Sequence, residues 1–381
     1  MKLYQSKSQC CGCSSCVDAC PKKAISLKMD NMGFYYPQID KSACVSCGLC
    51  TNVCAFKTFR QDEKNYIQKA LAVKHRDKHV HESSSSGGIF SALSDEIVNN
   101  DGVIYGAAFV SKNKIAHIRC ESMLERDRTK GSKYAQSDMQ GIYNSIKKDL
   151  KDGKTVLFSG TPCQVAAVAK RFEDYRDHLF LVDIICHGIP SPGIFEKHIS
   201  FCEKQKGKLV EQYLFRTPCQ PGDSNTQVQA ILFEDGEIDR TSKYVRIYFD
   251  LFLENKILRE SCFDCPYACS DRESDITIGD FWGIEKIAPD FADKNGVSAV
   301  LINTQRGEDL FNKVSANLDY IACTFDDIAK RNPNLMRPSS RPKYNKFQLM
   351  YKLLGYNAAV RGYYKSNFLT KIKNNIAMIL K

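Results

Sequence analysis

The chain has 381 residues, 43% of them apolar and 26% charged, the balance of an ordinary globular protein with room for two or three domains and a sizeable core. Its opening, MKLYQSKSQCCGC, holds no apolar stretch of signal-peptide length, and no run approaches the roughly 18–20 apolar residues that span a bilayer, so a cytoplasmic setting is expected. In that reducing compartment the 18 cysteines argue for metal or redox chemistry rather than for disulfides.

The first sixty residues hold a repeat. Cys10-x2-Cys13-x2-Cys16-x3-Cys20-Pro21 recurs as Cys44-x2-Cys47-x2-Cys50-x3-Cys54-Ala55, offset by 34 residues at every position. This is the bacterial ferredoxin run, in which three close thiolates wrap three corners of a cubane and the fourth ligates the other cluster. The spacing therefore predicts two 4Fe–4S clusters, one on Cys10, Cys13, Cys16 and Cys54, the other on Cys44, Cys47, Cys50 and Cys20. A zinc ribbon would present separated C-x2-C pairs instead. Ala55 departs from the usual proline without removing a ligand, and Cys11 falls outside the spacing as a spectator. A domain of this kind relays single electrons and has no substrate pocket of its own.

A charged stretch, FRQDEKNYIQK, leads into a region from about Leu71 to Ile328 where short apolar runs alternate with amphipathic ones. Strands are expected at 103–110, 155–160 and 179–185, and helices at 137–152, 163–172 and 192–205. AVLINT followed by RGEDLFNKVSANL repeats the theme, while VQAILF and GEIDRT suggest a hairpin. The alternation implies βαβ units. The fold class is thus α/β, a mixed sheet with parallel βαβ units, preceded by a small ferredoxin-like α+β domain. The expected domains are residues 1–60, 61–330 and a tail, 331–381.

Further cysteines sit at turns. In SGTPCQ, Thr161 suits an N-cap, Pro162 the first helical position, and Gln164 completes a capping box. Cys163 then lies in the first helical turn, where the dipole favours a thiolate. Cys186, in ICHGIPSP, follows the next strand. Both fall at the carboxyl ends of successive strands, the edge where open α/β sheets bind ligands. SCFDCPYAC adds Cys262, Cys265 and Cys269 from a loop. Its C-x2-C-x3-C order reverses that of radical S-adenosylmethionine enzymes, and no GxGxxG fingerprint occurs.

Together SSSSGGIFSALSDEIV, GSKYAQSD, FSGTPCQVAAVAKRF, DIICHGIPSP and SCFDCPYACSDRESDITIGDFWGI resemble the coenzyme F420 hydrogenase/dehydrogenase beta-subunit family. The resemblance runs from about Cys10 to Ile328 and is to the form fused to a two-cluster ferredoxin domain. It implies a flavoprotein with FAD beside a third 4Fe–4S cluster, held by Cys163, Cys186, Cys262 and Cys265. Cys269 has no counterpart. Ser86, Gly87 and Gly88, ahead of the helix 89–99, become contacts for the FAD pyrophosphate. On the resemblance Lys133 and Tyr134 are flavin neighbours; Asp280 and Trp282, at a turn after a β-type run, are candidates to flank the cofactor, and His187, beside Cys186, is a candidate proton donor.

A flavin beside a cubane couples two-electron to one-electron chemistry. The expected function is an iron–sulfur flavoprotein oxidoreductase, served by ferredoxin or another redox partner and by a small-molecule substrate or hydride donor. The alternative is an electron-transfer subunit without its own substrate, docking on a partner enzyme. The net charge of +10 resides in the tail, which carries 12 Lys and Arg after Ala329 and no acid, leaving 42 basic against 44 acidic residues elsewhere. Phe368, Ile372, Ile376 and Ile379 stand about one helical turn apart, an amphipathic pattern suited to an anionic membrane or an acidic protein. With no recognition motif and a slightly acidic body, nucleic acid is not an expected partner.

Overall fold

The computed structural model describes residues 3–58, 68–217, 220, 223 and 228–379, with side chains described as far as residue 364. The boundary expected near residue 60 lies outside the described residues, as do the side chains of Phe368, Ile372, Ile376 and Ile379. Among the described residues no helix is long and apolar enough to cross a membrane.

The N-terminal segment pairs β1 (Ile25–Met29) with β2 (Tyr35–Ile39) antiparallel, flanked by the cysteine-bearing turns. The body is built on an eight-stranded mixed sheet. Its members are β3 (Lys69–His75), β4 (Val103–Ser111), β5 (Lys114–Cys120), β6 (Val156–Gly160) and β7 (Leu179–Ile184). A separate three-stranded sheet follows, from β8 (Val210–Leu214), β9 (Ala230–Phe233) and β10 (Ile238–Asp239). The chain then returns to the large sheet with β11 (Ile276–Asp280), β12 (Ser298–Ile302) and β13 (Leu318–Cys323). The order is β13-β3-β12-β11-β7-β6-β4-β5.

The four central strands, β11, β7, β6 and β4, pair parallel, as the alternation of apolar and amphipathic runs implies. The outer pairings are antiparallel. The carboxyl ends of β6, β7 and β11 therefore open on one edge, and each is followed by a turn carrying a singled-out residue: Cys163, Cys186 and Trp282. The turn after β6 is fixed locally. Thr161 and Gln164 form a reciprocal capping box with Pro162 in the first turn, starting the helix Pro162–Arg171, as expected from sequence.

One element differs from expectation. The helix expected over 137–152 spans only Ile142–Lys151, because Gly141 adopts a left-handed φ of 81° and Asp138 is drawn into edge pairing with β5 through Ile115 and His117. As far as its side chains are described, the tail packs on the body. The helix Lys346–Ile379, broken at Gly355, buries Phe347, Tyr351, Tyr356, Ala359, Val360 and Tyr363 in the same apolar cluster as Phe195, Tyr213 and Tyr248.

The N-terminal segment is docked on the body. Met32, Phe34 and Tyr36 join that cluster, and Cys11 and Ala55 join another beneath the helix Pro162–Arg171. Ser191 Oγ donates to the Met32 carbonyl at 2.5 Å and Gly193 N to the Gly33 carbonyl at 3.1 Å. At the centre of the contact, Arg259 is fully buried. Its guanidinium donates to the carbonyls of Cys10 (2.7 Å) and Tyr35 (2.9 Å) and to Gln136 Oε1 (2.9 Å). It also lies 4.1 Å from the Tyr36 ring centroid.

Gly33 and Gly193 abut backbone to backbone, and a Cβ on Gly193 would stand 2.7 Å from Gly33 Cα. Gly193→Ala should therefore push the two surfaces apart, costing about 1–3 kcal/mol as overpacking does. Thermal unfolding of the variant beside the unaltered protein checks this, with a lower Tm expected.

Candidate functional site

The cysteines line three pockets. Cys10, Cys13, Cys16 and Cys54 surround one, with Cys11 and Cys50 also on its wall. Cys20, Cys44, Cys47 and Cys50 surround a second. Cys163, Cys186, Cys262 and Cys265 face a third, in the body, with Cys11 again on the wall. Every described cysteine is free of disulfides. Among the described residues no three His, Cys, Asp or Glu side chains converge on a single ion. Each pocket wall nonetheless gathers the four cysteines of one expected set. The all-sulfur donor sets also fit iron–sulfur ligation.

The body pocket is assembled from distant segments. Cys163 comes from the helical turn after β6 and Cys186 from the turn after β7. Cys262 and Cys265 come from the loop 260–272, which Arg272 fastens to β7. Arg272 is buried, donates to the Tyr267 carbonyl at 2.8 Å and the Ile184 carbonyl at 3.2 Å, and pairs with Asp183 at 3.2 Å. Ile189 N donates to Cys262 Sγ at 3.2 Å, and Thr161 Oγ1 lies 3.3 Å from Cys163 Sγ. Burial raises the thiols of Cys186, Cys262 and Cys265. Cys269 is elsewhere: its Sγ donates to the Asp271 carbonyl at 3.1 Å, and it does not line the pocket.

Next to it opens a cavity of about 420 Å³. The two spaces share Cys186, His187, Gly188, Ile189 and Asn334 on their walls. The cavity lies along the carboxyl edge of the parallel strands. Ser84, Ser85, Ser86 and Gly88 line it at the start of the helix Ile89–Asn99, and Lys133, Tyr134, Asp280 and Trp282 line it from other segments. Gly87 does not line it. It lies behind the turn, where a Cβ would run into the Val73 carbonyl, and its own carbonyl accepts from His75 N at 2.7 Å. Ser86 Oγ is committed to the Val297 carbonyl at 2.9 Å.

Arg216 joins two of these residues and was not singled out from sequence. Its guanidinium pairs with Asp280 at 2.6 Å, donates to Tyr134 Oη at 2.7 Å and reaches the Ser85 carbonyl at 2.9 Å. No local signal marks it, since its partners lie 64 to 131 residues away. His187 packs edge-on against Phe252, with ring centroids 5.0 Å apart, and burial lowers its pKa. On the opposite wall, Gln164 donates to Ser137 at 2.9 Å, Ser137 meets His117 at 3.0 Å, and His117 meets the Ser159 carbonyl at 3.0 Å. Burial pushes His117 down to about 4, so its ring is neutral at pH 7.

Residues 153–327 match the family described as the C terminus of the coenzyme F420 hydrogenase/dehydrogenase beta subunit, and residues 9–58 match the 4Fe–4S dicluster domain. By these matches a region similar to the C terminus of that beta-subunit family follows a region similar to a 4Fe–4S dicluster domain. The family is one of redox enzyme subunits. The matched beta-subunit stretch contains Cys163, Cys186, Arg216, Cys262, Cys265, Asp280 and Trp282, whereas the Ser84–Gly88 turn, Lys133 and Tyr134 precede it. A chain of the F420-reducing NiFe hydrogenase complex from Methanosarcina barkeri is similar in structure. The two share 16% sequence identity with a TM-score of 0.46, over 79% of this chain and 94% of that one. No curated protein matches the sequence.

Lys133 offers a probe of the cavity. Its ammonium donates to the carbonyls of Lys130 (2.6 Å) and Arg128 (3.0 Å), while burial lowers its pKa from 10.5 to about 7. The side chain should therefore be charged below about pH 7 and neutral above it. NMR titration of protein labelled with 13C at lysine Cε should show one resonance titrating near neutral pH, absent from Lys133→Met.

Proposed function

We propose that the chain is an iron–sulfur flavoprotein oxidoreductase with three 4Fe–4S clusters and one FAD. The first sixty residues hold two clusters, on Cys10, Cys13, Cys16 and Cys54 and on Cys20, Cys44, Cys47 and Cys50. The body, 61–330, holds the third on Cys163, Cys186, Cys262 and Cys265, with FAD in the adjoining cavity. A flavin exchanges two electrons and a cubane one at a time, so the set couples a two-electron substrate to a one-electron carrier.

The observation that carries this reading is that the four spaces run in series. Cys50 is common to the two N-terminal pockets, Cys11 and Phe56 to the first of these and the body pocket, and Cys186 to the body pocket and the cavity. The series ends outward at the Cys44–Cys50 loop, where Cys47 is exposed and Val45 and Leu49 are 60% and 43% exposed. That loop is the face for a ferredoxin or other one-electron partner. An apolar rim around a ligand loop lets such a partner approach closely.

Within the cavity the residues divide by chemistry. Ser86 and Gly88, with the first turn of the helix Ile89–Asn99, offer backbone N–H groups for a pyrophosphate. Arg216 holds the Asp280 carboxylate and the Tyr134 hydroxyl together. Trp282 supplies a flat apolar wall. His187, on the wall shared with the cysteine pocket, is the proton donor to a substrate. The substrate is a small molecule or hydride donor, and F420 is one candidate among them.

Anaerobically prepared variants test the ligand set. Cys163→Ser should contain about four fewer irons per chain than the unaltered protein, whereas Cys269→Ser should contain the same iron. Iron loss from the Cys269 variant with retention in the Cys163 variant would overturn the assignment.

A further inference from the structure

We propose that Cys11 is the coupling residue between the first N-terminal cluster site and the cluster site of the body; the role rests on the reading of those sites above. Cys11 belongs to neither set of four, and the ferredoxin spacing passes over it. Yet it is only 6% exposed and lines both pockets. It packs in one apolar cluster with Cys163 on one side and Cys13 on the other. Cys13 belongs to the N-terminal set and Cys163 to the body set, so one thiol joins a ligand sulfur of each.

The surroundings hold it there. Gln136 Nε2 donates to the Cys11 carbonyl at 3.0 Å, while Gln136 Oε1 accepts from Arg259. Tyr143 Oη donates to the Cys13 carbonyl at 2.9 Å. Cys11 packs in one apolar cluster with Phe56 and Tyr267, whose rings meet edge to face with centroids 6.0 Å apart. Cys11 and Tyr267 are themselves buried there.

The path is therefore Cys13 Sγ, the Cys11 sulfur and Cys163 Sγ, with the single S–H free to donate to one ligand sulfur while the polarizable sulfur packs against the other. One electron leaves one side as one arrives on the other, so the first is oxidised and the second reduced. The thiol proton stays on Cys11, and no bond forms or breaks.

The test compares the full chain, prepared anaerobically, with Cys11→Ala and Cys11→Ser. Iron content and the electron paramagnetic resonance signals are measured first. An external one-electron photoreductant then delivers an electron by laser flash, and the rate of equilibration between the N-terminal and body clusters is followed. Cys11→Ala should keep the iron and resonance signals of the unaltered protein but equilibrate severalfold more slowly. Cys11→Ser, which retains a donor and an acceptor, should recover part of the rate. An unchanged rate in Cys11→Ala with full iron would overturn the proposal, and so would loss of a cluster, which would make Cys11 a ligand. If the unaltered protein holds only the two N-terminal clusters, the reading beneath fails, and the role of Cys11 with it. A full complement together with an unchanged rate in Cys11→Ala removes this inference alone.

Discussion

The structure depends on a positive charge that water cannot reach. Arg259 sits at the junction of the cysteine-rich segment and the body, with its guanidinium spent on two carbonyls of the former and one amide of the latter. Burying a charge is costly unless its hydrogen bonds are met. Here they are met only when both surfaces are in contact, so the charge favours one docking geometry over others. That geometry brings Cys11 and Cys13 beside Cys163. Without it the ferredoxin-like segment would be a separate module, and the body pocket would lack a neighbour.

The second constraint is the sense of the strands. Because β4, β6, β7 and β11 run parallel, the turns that follow β6, β7 and β11 emerge on one edge. Cys163, Cys186, Asp280 and Trp282 thereby come to that edge although more than a hundred residues separate the first from the last, Cys163 on the cysteine pocket and Asp280 and Trp282 on the cavity. The flanking antiparallel strands bring in the Ser84–Gly88 turn beside Val297, through Ser86. The cysteine pocket and the larger cavity share a wall for the same reason: the turn after β7, carrying Cys186 and His187, lies between them.

What could be read from sequence is what is local. The ferredoxin ligands are close together in the chain, so their spacing carries the information. The Thr161–Gln164 capping box is complete within four residues and forms as expected. The alternation of apolar and amphipathic runs gives the parallel centre of the sheet. What could not be read is long-range. Arg216 and Arg259 look like ordinary arginines, because their partners lie up to 131 and 249 residues away. Cys11 looks idle in the spacing, since its neighbours are defined by docking. Gly87 reads like Gly88 in the SSSSGG run, but only the fold decides which of them faces the cavity. Whether the tail packs on the body could not be read from its dispersed apolar residues, since the core its aromatic side chains join is built by distant segments.

The central claim is that one chain holds three iron–sulfur clusters and a flavin in continuous series. Its most direct test is the content of iron, acid-labile sulfide and flavin in anaerobically purified protein. The account predicts about twelve irons, about as many sulfides and one flavin per chain, the sum of three cubanes and one FAD. About eight irons and no flavin would contradict it, leaving a two-cluster domain attached to a body without redox cofactors.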